Sequence, residues 1–174
     1  MRYTLRLHPD SLCVAAIRIE ADIARPRTDS LLLSYVVSGR ISDLRIPPIV
    51  AAARADALWR HTCFEAFVRS SADPGYYEFN FSPSTQWAAY RFDSYRSGMR
   101  IATEIGAPRI EVKSSAETYI LQAALELDGL SPPLHLGLSA VLEETNGRKS
   151  YWALAHPPGK ADFHHADCFA LELS

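Results

Sequence analysis

Short segments in which apolar and polar residues alternate recur along the whole chain, and no other feature constrains its folding as tightly. Tyr3 to Leu7, Cys13 to Ile19, Leu31 to Val37, Leu58 to Val68, Tyr76 to Phe81, Trp87 to Phe92, Arg109 to Val112, Thr118 to Leu127, Leu134 to Leu142, Tyr151 to Leu154 and Cys168 to Leu173 all read this way. Successive side chains on a strand point to opposite faces, so a period of two describes strands with one side in a core. The clearest case sets Leu134, Leu136, Leu138, Ala140 and Leu142 against His135, Gly137, Ser139 and Val141. Turn residues separate the segments at Asp73-Pro74-Gly75, Ser82-Pro83-Ser84, Ser131-Pro132-Pro133 and Asn146-Gly147, the last being the best hairpin tip.

Strands this short and this regularly punctuated predict an all-β fold, an antiparallel two-sheet β-sandwich of immunoglobulin-like or jelly-roll-like type. Its core is expected to hold Phe64, Val68, Phe79, Phe81, Leu121, Leu125, Leu136, Leu138 and Leu171. The alanine-rich stretch from Pro48 to Asp56 is the one segment that favours helix, and it predicts a short loop helix. No repeat, low-complexity tract or shift of composition marks a boundary, so residues 1–174 read as a single domain, long enough to bury a core without cross-links.

Charge narrows the partners. A net charge of −2 leaves no cationic excess for a phosphate backbone or an anionic membrane, so neither nucleic acid nor membrane is expected to bind. No apolar run approaches the ~20 residues that span a bilayer. The N-terminal residues lack the apolar stretch of a secretory signal, and the expected location is cytoplasmic. Cys13, Cys63 and Cys168 are odd in number and set in apolar surroundings, which reads as small buried side chains, not disulfides.

Two adjacent segments carry an unusual polar face. If Leu58 to Val68 is one strand, Trp59, His61, Cys63, Glu65 and Phe67 share a side; on the next, Tyr76, Glu78, Asn80 and Ser82 lie opposite Tyr77, Phe79 and Phe81. A tight hairpin predicts Glu65 beside Glu78, Cys63 beside Asn80 and His61 beside Ser82. With a four-residue loop from Pro83 to Gln86, the following strand would set Arg91 beside Glu78 and Trp87 beside Ser82. Facing carboxylates repel unless a cation, a proton or ligand hydroxyls intervene, and Arg91 would supply the cation. A patch of Trp, Glu, Asn and Arg suits a saccharide, which needs flat aromatic surface and paired acceptors and donors. A second cluster, His156, His164, His165 and Asp167, holds weak candidates for metal ligands. The neighbours His164 and His165 cannot both face one site from a strand, and no metal and no cofactor is expected.

The stretches Leu58 to Phe67, Tyr76 to Ser84 and Gln86 to Phe92 resemble the DOMON-like superfamily, in particular its family 9 carbohydrate-binding-module-like group of small bacterial proteins. The resemblance continues through His135 to Ala140 and Tyr151 to Leu154 to His156-Pro157-Pro158-Gly159-Lys160 and Phe163-His164-His165. It implies a β-sandwich that holds a sugar or, in other branches, haem. It also implies an aromatic wall at Trp59, a hydrogen-bonding carboxylate at Glu65 and a second aromatic wall at Trp152.

The expected function is therefore non-catalytic binding of a small ligand, most of all a saccharide, on a sheet face lined by Trp59, Glu65, Glu78 and Arg91, with Asn80, Trp152 and His156 as neighbours. Three rivals stand beside it. Haem would need an axial pair such as Met99 with a histidine. A glycoside hydrolase would use Glu65 and Glu78 at about 5–5.5 Å. A scaffold would recruit a protein to its exposed face. The oligomeric state is not encoded in any of these features.

Overall fold

The computed structural model describes residues 1–174 in full. Twelve strands, β1 (Arg2–Leu7), β2 (Ala16–Ala24), β3 (Ser30–Gly39), β4 (Cys63–Ser70), β5 (Tyr76–Phe81), β6 (Trp87–Phe92), β7 (Arg100–Ile101), β8 (Arg109–Ser114), β9 (Thr118–Glu126), β10 (Leu134–Glu143), β11 (Lys149–Ala153) and β12 (Leu171–Leu173), make up nearly all of its regular structure. They pair antiparallel in the order β7-β6-β5-β4-β10-β11-β1-β2-β3-β9-β8, with β12 added alongside β10. No helix is long and apolar enough to cross a membrane.

The expected all-β antiparallel fold is therefore present, but the hydrogen-bonded path is continuous where two separate sheets were anticipated. Strand β1 causes this. Its residues Arg2 to Leu5 pair with β2, while Arg6 and Leu7 pair with β11, so one strand passes from one arm of the curled sheet to the other. The two arms share one core of 32 buried residues. Phe64, Val68, Phe79, Phe81, Leu121, Leu125, Leu136 and Leu138 are all within 2 % of complete burial, and Leu171 packs against their edge. Tyr35 of β3 reaches across that core and donates to the Glu65 carbonyl at 2.7 Å, tying one arm to the other behind β4.

The anticipated loop helix between Pro48 and Asp56 does not form. Pro47 and Pro48 disfavour the helical region for the residues before them, and the chain runs extended along the start of β6 instead. There Ala55 donates to the Trp87 carbonyl at 2.8 Å and Trp87 donates to Ala53 at 3.1 Å. Nor does Leu58 belong to the strand that follows it. Leu58–Arg60 is a single 3-10 turn entered through Ala57, which takes the left-handed conformation at φ 57°, and β4 begins only at Cys63. The predicted hairpin tip at Asn146-Gly147 is present, with Gly147 at φ 86° and its N–H on the Glu144 carbonyl at 2.8 Å.

Candidate functional site

The outward face of β6, β5, β4, β10 and β11 carries the polar groups. Residues paired across strands share a face, and one rung reads Ala153, Ser139, Glu65, Asn80, Ala88; the next reads Gly137, Phe67, Glu78, Tyr90, Ile101. Small residues beside the carboxyls, Ala153, Ser139, Gly137 and Ala88, leave open space over this part of the face. The chain from Ala161 to His164 and the turn at Trp59 stand over its sides. A cavity of about 560 Å³ results, with Glu65 and Glu78 in its floor and Trp59, Tyr90, Tyr151 and Phe163 among its walls. Gly137 helps to seat the covering segment, since a Cβ there would come within 2.8 Å of the Cys168 carbonyl.

The observed registers correct the expected ones. Glu65 pairs with Asn80 and Phe67 with Glu78, two residues from the predicted alignment, because the hairpin turns between Ala72 and Asp73. A slip of two keeps every side chain on its face, so Glu65 and Glu78 share the pocket but stand diagonally, not opposite. At the β5–β6 hairpin the loop spans Ser82 to Gln86, closed by Ser82 N–H on the Gln86 carbonyl at 2.9 Å with Thr85 at φ 71°. That is one residue more than Pro83 to Gln86, and a slip of one turns a strand over. Tyr90 therefore faces Glu78 across the strands, while Arg91 pairs with Tyr77 on the opposite face, where it holds Asp73 and lies over the Tyr77 ring at 4.8 Å.

Of the residues singled out in the sequence, Trp59, Glu65 and Glu78 meet in the cavity, Asn80 lies directly beneath it, and Arg91 and Trp152 do not reach it. Trp152 is 5 % exposed in the shared core, with its Nε1–H on Ser150 Oγ at 2.9 Å, so it cannot be the second aromatic wall. Tyr151, its neighbour on the outward side, stands there. His156 sits behind Phe163 with Nε2 at 2.8 Å from the Arg6 carbonyl and its ring edge-on to His8. His164, His165 and Asp167 do not converge: His164 enters the cavity, while His165 caps the 3-10 turn Ala166–Cys168 by accepting from the Asp167 N–H. All three cysteines are free; Cys63 and Cys168 are buried and Cys13 is half-buried. Tyr90 would have been legible as a site residue had the second hairpin been aligned correctly, whereas His164 lies outside the strands and is brought in only by the fold.

The floor is a hydrogen-bonded chain of groups with little water around them. Ser139 Oγ donates to Glu65 at 3.2 Å, Asn80 Nδ2 donates to Glu78 at 2.9 Å, and Cys63 Sγ donates weakly to Asn80 Oδ1 at 3.7 Å. Burial, and then the neighbouring Glu78, hold the Glu65 carboxyl well above the usual carboxylate range; burial also raises Glu78, against the pull of Asn80 and Arg96. Burial and then Arg96 push His164 down to about 4, outweighing Asp162. A neutral imidazole needs a tautomer, and the network assigns it. Arg96 N–H donates to Tyr76 Oη at 3.2 Å, which frees the phenol proton for His164 Nδ1 at 2.8 Å and leaves the proton on Nε2, 3.5 Å from Glu78.

The chain has a carbohydrate-binding-module-like fold. Two solved structures share it. One is a protein from Bacteroides uniformis ATCC 8492 for which carbohydrate binding has been suggested, at 15 % identity over 97 % of this chain and 83 % of that one, TM-score 0.63. The other is a family 9 carbohydrate-binding module from Caldicellulosiruptor kristjanssonii solved with cellotriose, at 11 % identity over 91 % and 74 %, TM-score 0.54. No family model matches the sequence, and no curated protein matches it.

Proposed function

We propose that this chain binds a saccharide in the cavity over β4, β5 and β10, as a DOMON-like sandwich of two curled arms. The observation that carries the reading is the composition of that cavity. Flat rings of Trp59 and Tyr151 stand at its sides, where the C–H faces of a sugar can stack, and hydrogen-bonding carboxyls of Glu65 and Glu78 lie in its floor. A carboxyl that keeps its proton both donates and accepts, which matches a hydroxyl-rich ligand. The cellotriose held by one structural neighbour supports the ligand class. A glycan array followed by calorimetry on the full chain tests it: one sugar class should bind and W59A should weaken that binding about tenfold. Absence of any bound sugar would overturn the reading.

Haem is a second reading, favoured by one observation: Met99 and His164 line the same cavity. His164 Nε2 would serve as the ligand atom in the other tautomer, with the ring proton moved to Nδ1 and donated to the Tyr76 hydroxyl. The two buried carboxyls in the floor fit an apolar macrocycle poorly. Titration with haemin decides the matter, since a Soret band lost in both M99A and H164A would favour haem over sugar.

A further inference from the structure

The charges at the mouth of the cavity specify its ligand further. Lys149 pairs in register with Glu143, and Glu143 Oε2 meets His61 Nδ1 at 2.7 Å, directly after Arg60 in the chain. Arg60 and Lys149 therefore line the same end of the cavity. Neither makes an ion pair or a side-chain hydrogen bond within the protein, although most of its other arginines do. Glu143, the register partner of Lys149, is already engaged by Arg45 at 2.9 Å as well as by His61. The Arg60 guanidinium lies over the Trp59 ring at 5.4 Å, which fixes a cation beside the surface on which a sugar would stack.

The opposing negative charge is small. Asp56 is the only acidic residue at the lip, and it accepts from the Tyr90 hydroxyl. Asp162 is bound to Arg96 at 2.8 Å. The two acids of the floor are held toward their protonated forms by burial. A ligand entering the cavity thus meets hydroxyl-compatible groups below and, at the edge, the two cations Arg60 and Lys149 against the single carboxylate of Asp56.

We propose that the ligand is an acidic saccharide, a uronate-bearing sugar whose carboxylate lies at the Arg60 and Lys149 end of the cavity. This rests on the saccharide reading above. Lys149 meets the carboxylate as a mobile point charge and Arg60 as a planar fork. The rest of the ring lies on Trp59 with its hydroxyls toward the floor.

The test uses the full chain and matched pairs of oligosaccharides that share a backbone and are acidic or neutral at C6: cellobiouronic acid with cellobiose, and trigalacturonate with its methyl ester. Calorimetry at low salt should show the uronate of at least one pair binding about tenfold tighter than its neutral partner, with the gap narrowing at high salt. R60Q and K149Q should each weaken the uronate about threefold more than they weaken its neutral partner. If neutral partners bind as tightly in every pair, the acidic-sugar proposal falls while saccharide binding stands. If uronates win but neither variant matters, the placement of the carboxylate is wrong. If no oligosaccharide binds folded protein, both readings fall together.

Discussion

His164 places its Nε2 edge 3.5 Å from the Glu78 carboxyl, yet the pair is not an ion pair, because burial disfavours charge on both partners. The contact is instead the end of a relay from the Arg96 backbone through Tyr76 to the floor of the cavity. Groups whose proton affinities are shifted by folding leave a mark on stability, and here the marks have opposite signs.

His164 binds its proton less well folded than unfolded. The unfolded chain therefore holds more protons between about 4 and the ordinary histidine value near 6.5, and stability rises with pH across that window. Glu65 binds its proton better folded than unfolded, so its contribution is complete below the ordinary carboxyl value and is lost as pH climbs toward the raised one. Thermal unfolding followed against pH should show H164Q flattening the acid side and E65Q flattening the fall at higher pH. A fall unchanged in E65Q would remove the buried acid as its cause.

Trp59 is 48 % exposed on a turn outside the sheet, so its ring contributes little to the core. W59A should change stability by roughly 0.5 kcal/mol or less while lowering sugar affinity about tenfold through lost stacking. Calorimetry beside denaturant melts separates the two effects. A large loss of stability with intact binding would show the ring to be packing.

Arg91 and Trp152 should behave in the opposite way. R91A removes the contact with Asp73 and the packing over Tyr77, at roughly 1–2 kcal/mol, and should leave affinity for the same sugar unaltered. W152A should cost roughly 3–5 kcal/mol from the shared core, while W152F retains binding. Weakened binding in a folded R91A or W152F protein would contradict the faces assigned to them.

Leu138 lies at the centre of the core and is 1 % exposed, whereas Leu171 sits at its edge on the short strand β12. L138A should cost roughly 2–5 kcal/mol and L171A clearly less, measured by urea denaturation. Equal losses would mean that β12 closes the core more tightly than its exposure shows.

The alternation of Leu134 to Leu142 and of Tyr76 to Phe81 was enough, without a structure, to establish an antiparallel all-β chain, the inward residues and the polar side on which Glu65, Glu78 and Asn80 lie. Period two is a local property of a strand, and it survives in any sheet that buries one face. Which residues meet across that face is set by loop length. The extra residue between Phe81 and Trp87 exchanged Arg91 for Tyr90, and the turn at Ala72 and Asp73 drew Glu65 away from Glu78, though nothing in either strand's own sequence announces it. Whether Trp152 or Tyr151 faced the cavity was likewise decided by pairing with β10. The cavity itself depends on Ala57 to Arg60 and Ala161 to His164, irregular segments that carry no periodicity and are positioned only by what they pack against.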